Sequence, residues 1–392
     1  MAPKLKVPRV PDETKLKTVQ ALCDRTAPYE QLALSDEQFV KAMKEITAWH
    51  IERCEFYQKL STAEHFDLES VKTLNDCLKI PHLWAHFFKA HEVLSVPEKD
   101  VFLHLTSSGT TGQKSQIFFD EWTIRSAQRM VDSIFEKYNW VRPDQKCNYV
   151  LFSYETESSS KLGTAYTDNF LCKYAPVNEV FYALKLTGAG GHEFDCFGTI
   201  ESFLKFAKQG LPVRLFGFPA FFYFALERMK KLGIPPVKMH PDSLVFLGGG
   251  WKGNADKAIA KEDFYALVEE MLGIPNARLR DGFGSVEHCV PYVECQNHEF
   301  HVPVWSRVFI RDVETLAPMS YGQKGFLHFI SPYITSMPAH SVIMGDMASL
   351  HSAESCGCGL PTPYFRVHGR AGVSKNKSCA LAASELLKGK AS

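Results

Sequence analysis

Residues Leu105–Ser115 read LTSSGTTGQKS, and no other stretch of the chain limits its fold as tightly. Apolar runs flank it on both sides, Val101–Leu105 before and Ile117–Phe119 after. This is the pattern of a loop joining two strands, not of a helix entry. Within it Thr106, Ser107, Ser108, Thr110 and Thr111 surround Gly109 and Gly112, and Lys114 closes the run. Glycines let the backbone turn and approach a ligand closely. Successive N–H groups and hydroxyls then form a concave nest for phosphate oxygens. An ordinary turn also favours Ser, Thr and Gly, but does not by itself call for an unbroken run of them with a lysine just beyond. A P-loop is excluded because Gln113 separates Gly112 from Lys114. A serine-hydrolase elbow is excluded because the chain contains no Gly-x-Ser-x-Gly.

Around this loop, helical and strand patterns alternate. Apolar residues recur at helical spacing over Ser35–Leu60, with Ser35 as the expected N-cap. Ile80–His91 reads as a second helix. Helices are expected over Glu121–Tyr138, Ile200–Gln209, Pro219–Leu232 and Ala258–Leu272, and strands over Asn148–Tyr154, Leu211–Phe216 and Ser243–Leu247. Such alternation predicts an α/β sheet. From Glu299 onward, short apolar runs between turns predict a distorted β subdomain. Met1–Val10 reads as an extended arm.

Composition narrows the class. The 392 residues carry 44 basic and 44 acidic side chains, so nothing electrostatic favours nucleic acid. Eleven scattered cysteines, an odd number, argue against a disulfide framework. The first residues show no apolar signal core. The apolar stretch Phe216–Leu226 is too short for a membrane span. These features predict a cytoplasmic protein with reduced thiols.

Further motifs follow the loop in order. Leu247–Lys252 reads LGGGWK, in which Gly249 and Gly250 admit a planar ligand and Lys252 could neutralise phosphate charge. Asp281–His288 reads DGFGSVEH and contains Phe283, Gly284 and Glu287. Gly345-Asp346 precedes YFRVHGR, which ends at Arg370. Taken singly these are a solvated lysine, a glycine turn with a surface acid, and another turn. In this order, with the Thr106–Lys114 loop, they resemble the acyl-adenylate-forming superfamily. The likeness is to its short branch, the acyl-protein synthetases of bacterial luminescence fatty-acid reductase complexes and the phenylacetate-CoA ligase relatives.

That resemblance covers Thr106 to Arg370. It implies an acyl-CoA-synthetase-like α/β core that takes ATP and Mg²⁺. The loop would hold phosphates, Phe283 would stack near adenine, Glu287 would hold Mg²⁺, Asp346 would bind ribose and Arg370 would begin a hinge. The sequence departs from the family pattern in three places. Lys114-Ser115 stands where many members have Pro-Lys, Val286 replaces a threonine, and residues 371–392 after Arg370 are expected to be a truncated C-terminal segment. The expected organisation is an N-terminal helical region over 1–100, the adenylate-forming core over 101–370 and a short tail over 371–392. The tail carries Cys379. By the resemblance it is the acyl acceptor; otherwise it is a small apolar residue opening a helix over Cys379–Leu387.

Cys295, His301, Cys356 and Cys358 could make a tetrahedral structural Zn²⁺ site, an arrangement similar to that of phenylacetate-CoA ligase relatives. His288, Cys289 and His298 stand in reserve, and reduced buried cysteines are the alternative. The leading expectation is ATP-dependent activation of a carboxylic acid, a fatty acid by the resemblance. The acyl group would then pass to a partner protein such as an acyl reductase. The alternatives are an acyl- or aryl-CoA ligase and a non-catalytic nucleotide-binding scaffold. Phe218, Phe221, Phe222 and Tyr223 would line the acid's pocket or belong to the core.

Overall fold

A computed structural model describes residues 9–106, 115–155, 170–188, 191–251 and 254–370. Of these, 138–283 form one compact unit, and the residues before and after them form a second.

The chain begins in the second unit with α1 (Lys17–Cys23), α2 (Asp36–Arg53) and α3 (Glu55–Ala63). Phe39, Met43, Ile46, Trp49 and His50 form the buried stripe of α2. Ser35 sits at the cap position, but its hydroxyl donates back to the Leu32 carbonyl (3.0 Å) instead of capping the helix. It also accepts from Arg307, whose guanidinium clamps Asp36 (2.8 Å) and lies over the Phe39 ring.

The helix expected over Ile80–His91 does not form. Leu83–Trp84 is a short strand, β1, and Ala85–Lys89 is a 3-10 turn. β1 pairs in parallel with Val342 and Ile343. The strand carrying those residues has no other neighbour on that side until Asp346, so β1 fills an open edge. Tertiary pairing here overrides a helical pattern. β2 (Leu103–Thr106) and β3 (Gln116–Phe119) then form an antiparallel hairpin, with Thr106 opposite Gln116 at the mouth of the glycine loop. α4 (Glu121–Lys137) follows.

The first unit comprises β4 (Cys147–Tyr154), β5 (Val177–Leu186), β6 (His192–Phe194), α5 (Cys196–Gln209), β7 (Val213–Gly217), α6 (Pro219–Lys231), β8 (Leu244–Gly248), α7 (Lys261–Leu272) and β9 (Leu279–Phe283). Its strands run β9-β8-β7-β4-β5-β6, all parallel except β6. β4 and β7 are fully buried over most of their length, the signature of a parallel sheet. Phe152, Phe203, Leu215, Phe222, Val245 and Leu279 belong to one core. After β4 the chain moves to one side as β5 and returns on the other as β7. The boundary between β4 and β7 is therefore the topological switch point, where ligands of such sheets bind.

The chain returns to the second unit with β10 (Tyr292–Val293), β11 (Phe300–His301), β12 (Arg307–Arg311), β13 (Lys324–Ile330), β14 (Ser341–His351) and β15 (Tyr364–Arg370). β11-β15-β14-β13-β12 is antiparallel throughout. Its register shifts between Phe326 and His328 and between Met347 and Ala348. These bulges are the distortion expected from the short apolar runs. Among the described residues no helix is long and apolar enough to cross a membrane.

Candidate adenylation site and metal centre

Ser107–Gly112, Lys114, Lys252 and Cys379 lie outside the described residues. Thr106 closes β2, and Ser115 stands just past the other end of the loop. Ser115 is fully buried, and its hydroxyl donates to Glu287 Oε1 at 2.5 Å. Ser285 donates to the other oxygen, Oε2. The Ser285 oxygen in turn accepts from the Glu287 backbone N–H (3.2 Å). Each carboxylate oxygen keeps a second acceptor direction. Glu287 is 7% exposed, so two hydroxyls fix the orientation of an acid almost enclosed by protein. An oxygen-only donor set of this kind fits a hard cation such as Mg²⁺.

The turn that carries Glu287 is tight. The N–H groups of His288 and Cys289 both donate to the Ser285 carbonyl (3.2 and 2.6 Å), and Cys289 adopts φ 54°. A non-glycine residue in that region is strained, and such strain concentrates at functional sites. Ser285 also reaches Met344 Sδ at 3.9 Å. Met344 lies on β14 two residues before Asp346, and Asp346 is in register with Arg370 on β15. Glu287 and the strand bearing Asp346 are thus brought together.

In the first unit, Gly248 of β8 is in register with Gly282 of β9. The turn after β8 and Phe283 at the end of β9 therefore leave the same edge of the sheet. Gly249 and Gly250 have φ of 74° and 65°, where a side chain would be strained. At the switch point, Tyr154 ends β4 and packs on Phe218 just beyond β7 (5.6 Å), which packs on Phe221 (6.3 Å). Of the four aromatic residues offered for the acid's pocket, Phe218 and Phe222 are buried, whereas Phe221 and Tyr223 are half-buried.

Cys295, His301, Cys356 and Cys358 converge, with all four ligand atoms within 4.8 Å of one another. Cys295 Sγ lies 3.6 Å from Cys356 Sγ, and Cys358 Sγ lies 3.2 Å from His301 Nε2. For Zn–S bonds of about 2.3 Å, a tetrahedral edge is roughly 3.8 Å, so the sulfur spacing fits zinc. His301 Nδ1 donates to the Thr362 carbonyl at 2.7 Å. A carbonyl only accepts, so the proton sits on Nδ1 and the Nε2 lone pair faces the thiols. Backbone N–H groups of Asn297 and Leu360 donate to Cys295 and Cys358 (3.3 and 3.4 Å). Burial pushes the Cys295 thiol up, and its two cysteine neighbours push it further. The reserve residues are not among these four, although the His298 backbone N–H donates to the Cys295 carbonyl (3.0 Å). His288 bonds Tyr292 and stacks on Phe329, and His298 bonds Glu294.

Ser115, Ser285 and Thr362 were not singled out as functional from sequence. Ser115 and Glu287 are 172 positions apart, so no local pattern links them. The available signal was a serine directly after the glycine loop.

Comparison with known proteins identifies the lineage. A family model described as "Acyl-protein synthetase, LuxE" matches residues 26–388. The chain belongs to the LuxE acyl-protein synthetase family. It is 24% identical over 353 residues to a long-chain-fatty-acid–luciferin-component ligase of Aliivibrio fischeri, covering 88% of each chain. It is 25% identical over 320 residues to the ligase of the same name from Vibrio harveyi, covering 81% of this chain and 80% of that one. The LuxE-family chain is thus a ligase. Among solved structures, an open conformation of 2-hydroxyisobutyryl-CoA ligase in complex with 2-HIB-AMP and CoA aligns with TM-score 0.64 and 14% identity. That alignment covers 93% of this chain and 80% of the other. It establishes the adenylate-forming fold for this LuxE-family chain.

Proposed function

We propose that this chain activates a long-chain fatty acid with Mg·ATP and passes the acyl group, by way of Cys379, to a thiol of a partner protein such as an acyl reductase. The observation that carries the reading is the family match over residues 26–388, which takes in every motif named above and reaches past Cys379. The names of the two luciferin-component ligases support the fatty acid.

The chemistry has two stages. A carboxylate oxygen attacks the α-phosphorus of ATP, the bond to the β-phosphate bridge breaks, and pyrophosphate leaves. The Cys379 thiolate then attacks the acyl carbon, the C–O bond to AMP breaks, and a thioester remains. Transfer onward exchanges one thiol for another and needs no oxidant. Glu287 would hold Mg²⁺, whose charge when bound offsets that of the phosphates. The Thr106–Lys114 loop and Lys252 would bind phosphate oxygens. Asp346 would accept from ribose, with Gly249, Gly250 and Phe283 against the purine and Gly284 and Arg370 completing the motifs. Tyr154, Phe218 and Phe221 at the switch point offer an apolar wall for the acyl chain. From Arg370 to Cys379 the contour at about 3.3 Å per residue allows a reach of up to roughly 30 Å.

The Cys295–His301–Cys356–Cys358 cluster would hold a structural zinc. All four donors are protein side chains, which closes the coordination shell and leaves no position for substrate. The eleven scattered cysteines suit a reducing, cytoplasmic compartment.

Two measurements on one preparation test the proposal. The first is exchange of labelled pyrophosphate into ATP, which should depend on added fatty acid. The second is acid label on the protein as a hydroxylamine-sensitive thioester. Cys379→Ser should abolish the label and preserve exchange. Label persisting in that variant would move the acceptor elsewhere. Acyl-CoA formation without protein label would replace the reading with a CoA ligase, and ATP binding without exchange would replace it with a scaffold.

A further inference from the structure

On the outer side of α6 an open groove of about 470 Å³ is lined by Tyr223, Phe224, Glu227, Arg228, Lys231 and Lys257. It begins beside the turn that follows β8, where Tyr223 packs on Trp251 (5.5 Å), and runs toward the C-terminal end of the helix. Three of its side chains are cationic and one is acidic. The acid, Glu227, is already engaged by Lys231 at 3.7 Å. Arg228 and Lys257 rest on aromatic rings instead: Arg228 lies 5.3 Å from the Phe197 ring and Lys257 5.4 Å from that of Phe224. Neither makes an ion pair with a carboxylate among the described residues. Both are exposed. Two large apolar side chains extend the surface, Phe197 at 57% and Leu232 at 47% exposed.

We infer that this groove docks an acidic, apolar-tipped segment of the protein that receives the acyl group. The role of that partner rests on the acyl-transfer reading above; the charge and shape of the groove do not. The uncompensated cations call for carboxylates. The exposed Phe197 and Leu232 beside an arginine match the composition of protein interface cores, where aromatic residues and arginine are enriched. A small phosphate ligand fits less well. Phosphates are held by backbone N–H groups at helix N-termini and glycine nests. This groove runs along the middle and last turn of α6, where the exposed backbone groups are carbonyls and the helix dipole is negative. The cations here are side chains on long stems, suited to a mobile carboxylate rim. The groove's start beside the Gly249–Trp251 turn would place such a partner next to one of the nucleotide-binding segments of the same unit.

The test uses the full chain and a fluorescein-labelled, glutamate-rich peptide with a central phenylalanine, read by anisotropy. Wild type should bind it, more weakly as salt rises, and should not bind a lysine-rich counterpart. The double variant Arg228→Glu, Lys257→Glu should lose about tenfold or more in affinity. It should also gain the lysine-rich peptide. Phe197→Ala should weaken the acidic peptide without changing its salt dependence. Equal affinity in the double variant would overturn the inference. So would displacement of the peptide by AMP, which marks a small-anion site, or a wild-type dimer that charge reversal splits, which marks a second copy as the occupant. Pyrophosphate exchange is measured on the same samples and should be unchanged in all variants. Peptide binding without exchange in wild type would remove the acyl-transfer reading while leaving the groove's preference for acidic segments in place.

Discussion

Ser115, the first described residue beyond the glycine loop, donates a 2.5 Å hydrogen bond to Glu287, and both are buried. The loop proposed for phosphate and the acid proposed for Mg²⁺ are therefore mechanically linked. A displacement of one strand of the β2–β3 hairpin is felt at the carboxylate.

The first prediction follows from that bond. Ser115→Ala removes one of the two hydroxyls that orient Glu287. The expected loss is about 1.5 kcal/mol of positioning, or roughly tenfold in pyrophosphate exchange, with the Mg²⁺ concentration for half-maximal rate raised. Ser285→Ala should act in the same direction, and the double variant by less than the product, since the two serines orient one carboxylate. A magnesium titration of exchange in the three variants checks this. An unchanged magnesium requirement would separate Glu287 from the cation.

The second prediction concerns zinc. Protein purified without chelator should contain about one equivalent of zinc, and Cys356→Ser should contain much less. Binding to preformed ligands stabilises only the folded state. Chelation should therefore lower the melting temperature of wild type and leave that of Cys356→Ser almost unmoved. Metal analysis and thermal melts on the same samples decide it, and a metal-free wild type with an unchanged melt would retire the site.

The elements that sequence patterns captured best are those whose packing is periodic. α2 and α6 bury stripes at helical spacing, and β4 is buried on both faces, so local pattern and tertiary environment agree. The Ile80–His91 segment failed because its partner, the open half of β14, is more than 250 positions away. The hairpin of β2 and β3 was legible because the composition of the intervening loop excludes most alternatives, and the Cys295–His301–Cys356–Cys358 cluster because thiols and imidazole stand out. Ser115, Ser285 and Thr362 were not legible as site residues. Serine and threonine are common, and only the folded chain reveals which carboxylate or imidazole they face.

The third prediction is a loss of stability in mild acid. Burial holds His288 and His340 down to about 3, and burial followed by the Arg311 charge holds His82 down to about 4. His50, stacked on His340 at 4.7 Å, is also held well below the usual range by burial and then by that neighbour. A histidine with a depressed folded pKa takes up its proton in the unfolded chain first. Its stabilisation is thus complete above about pH 6.5 and declines as pH falls toward the folded values. Each such group costs about 1.4 kcal/mol per pH unit in that window. Several together exhaust a typical stability of about 5–15 kcal/mol within two or three units. The urea midpoint should fall steeply from pH 6.5 to 5, before most carboxylates titrate. Tyr57 donates to the Pro81 carbonyl, so His340 Nε2 donates to the Tyr57 oxygen (3.1 Å). His340→Gln can keep that donor without titrating, and should make the pH slope shallower by about one proton. A slope identical to wild type would exclude His340 from the effect.

The last prediction returns to the switch point between β4 and β7. Gly217 ends β7 with φ 116°, and a Cβ built there would lie 2.5 Å from the Phe152 carbonyl oxygen. The clash is with backbone, at the last pair of a parallel ladder, where Phe152 is in register with Gly217 and its carbonyl accepts from the Phe218 N–H (2.9 Å). Neither strand can yield without breaking that bond. Gly217→Ala therefore combines an unfavourable φ, worth about 1–3 kcal/mol, with a forced separation of β4 from β7. The same separation would carry Phe218 away from Tyr154, its neighbour in the wall proposed for the acyl chain. A destabilised variant that still folds should show a raised KM for long-chain acid with the KM for ATP nearly unchanged. Gly198→Ala is the control. The atoms nearest its Cβ would be those of the Asp195 side chain, the cap of α5, so it should lower stability without shifting either KM. If both variants raise the KM for acid equally, loss of stability explains the effect and the wall is elsewhere. A shift confined to Gly217→Ala places the acyl chain at the β4–β7 boundary.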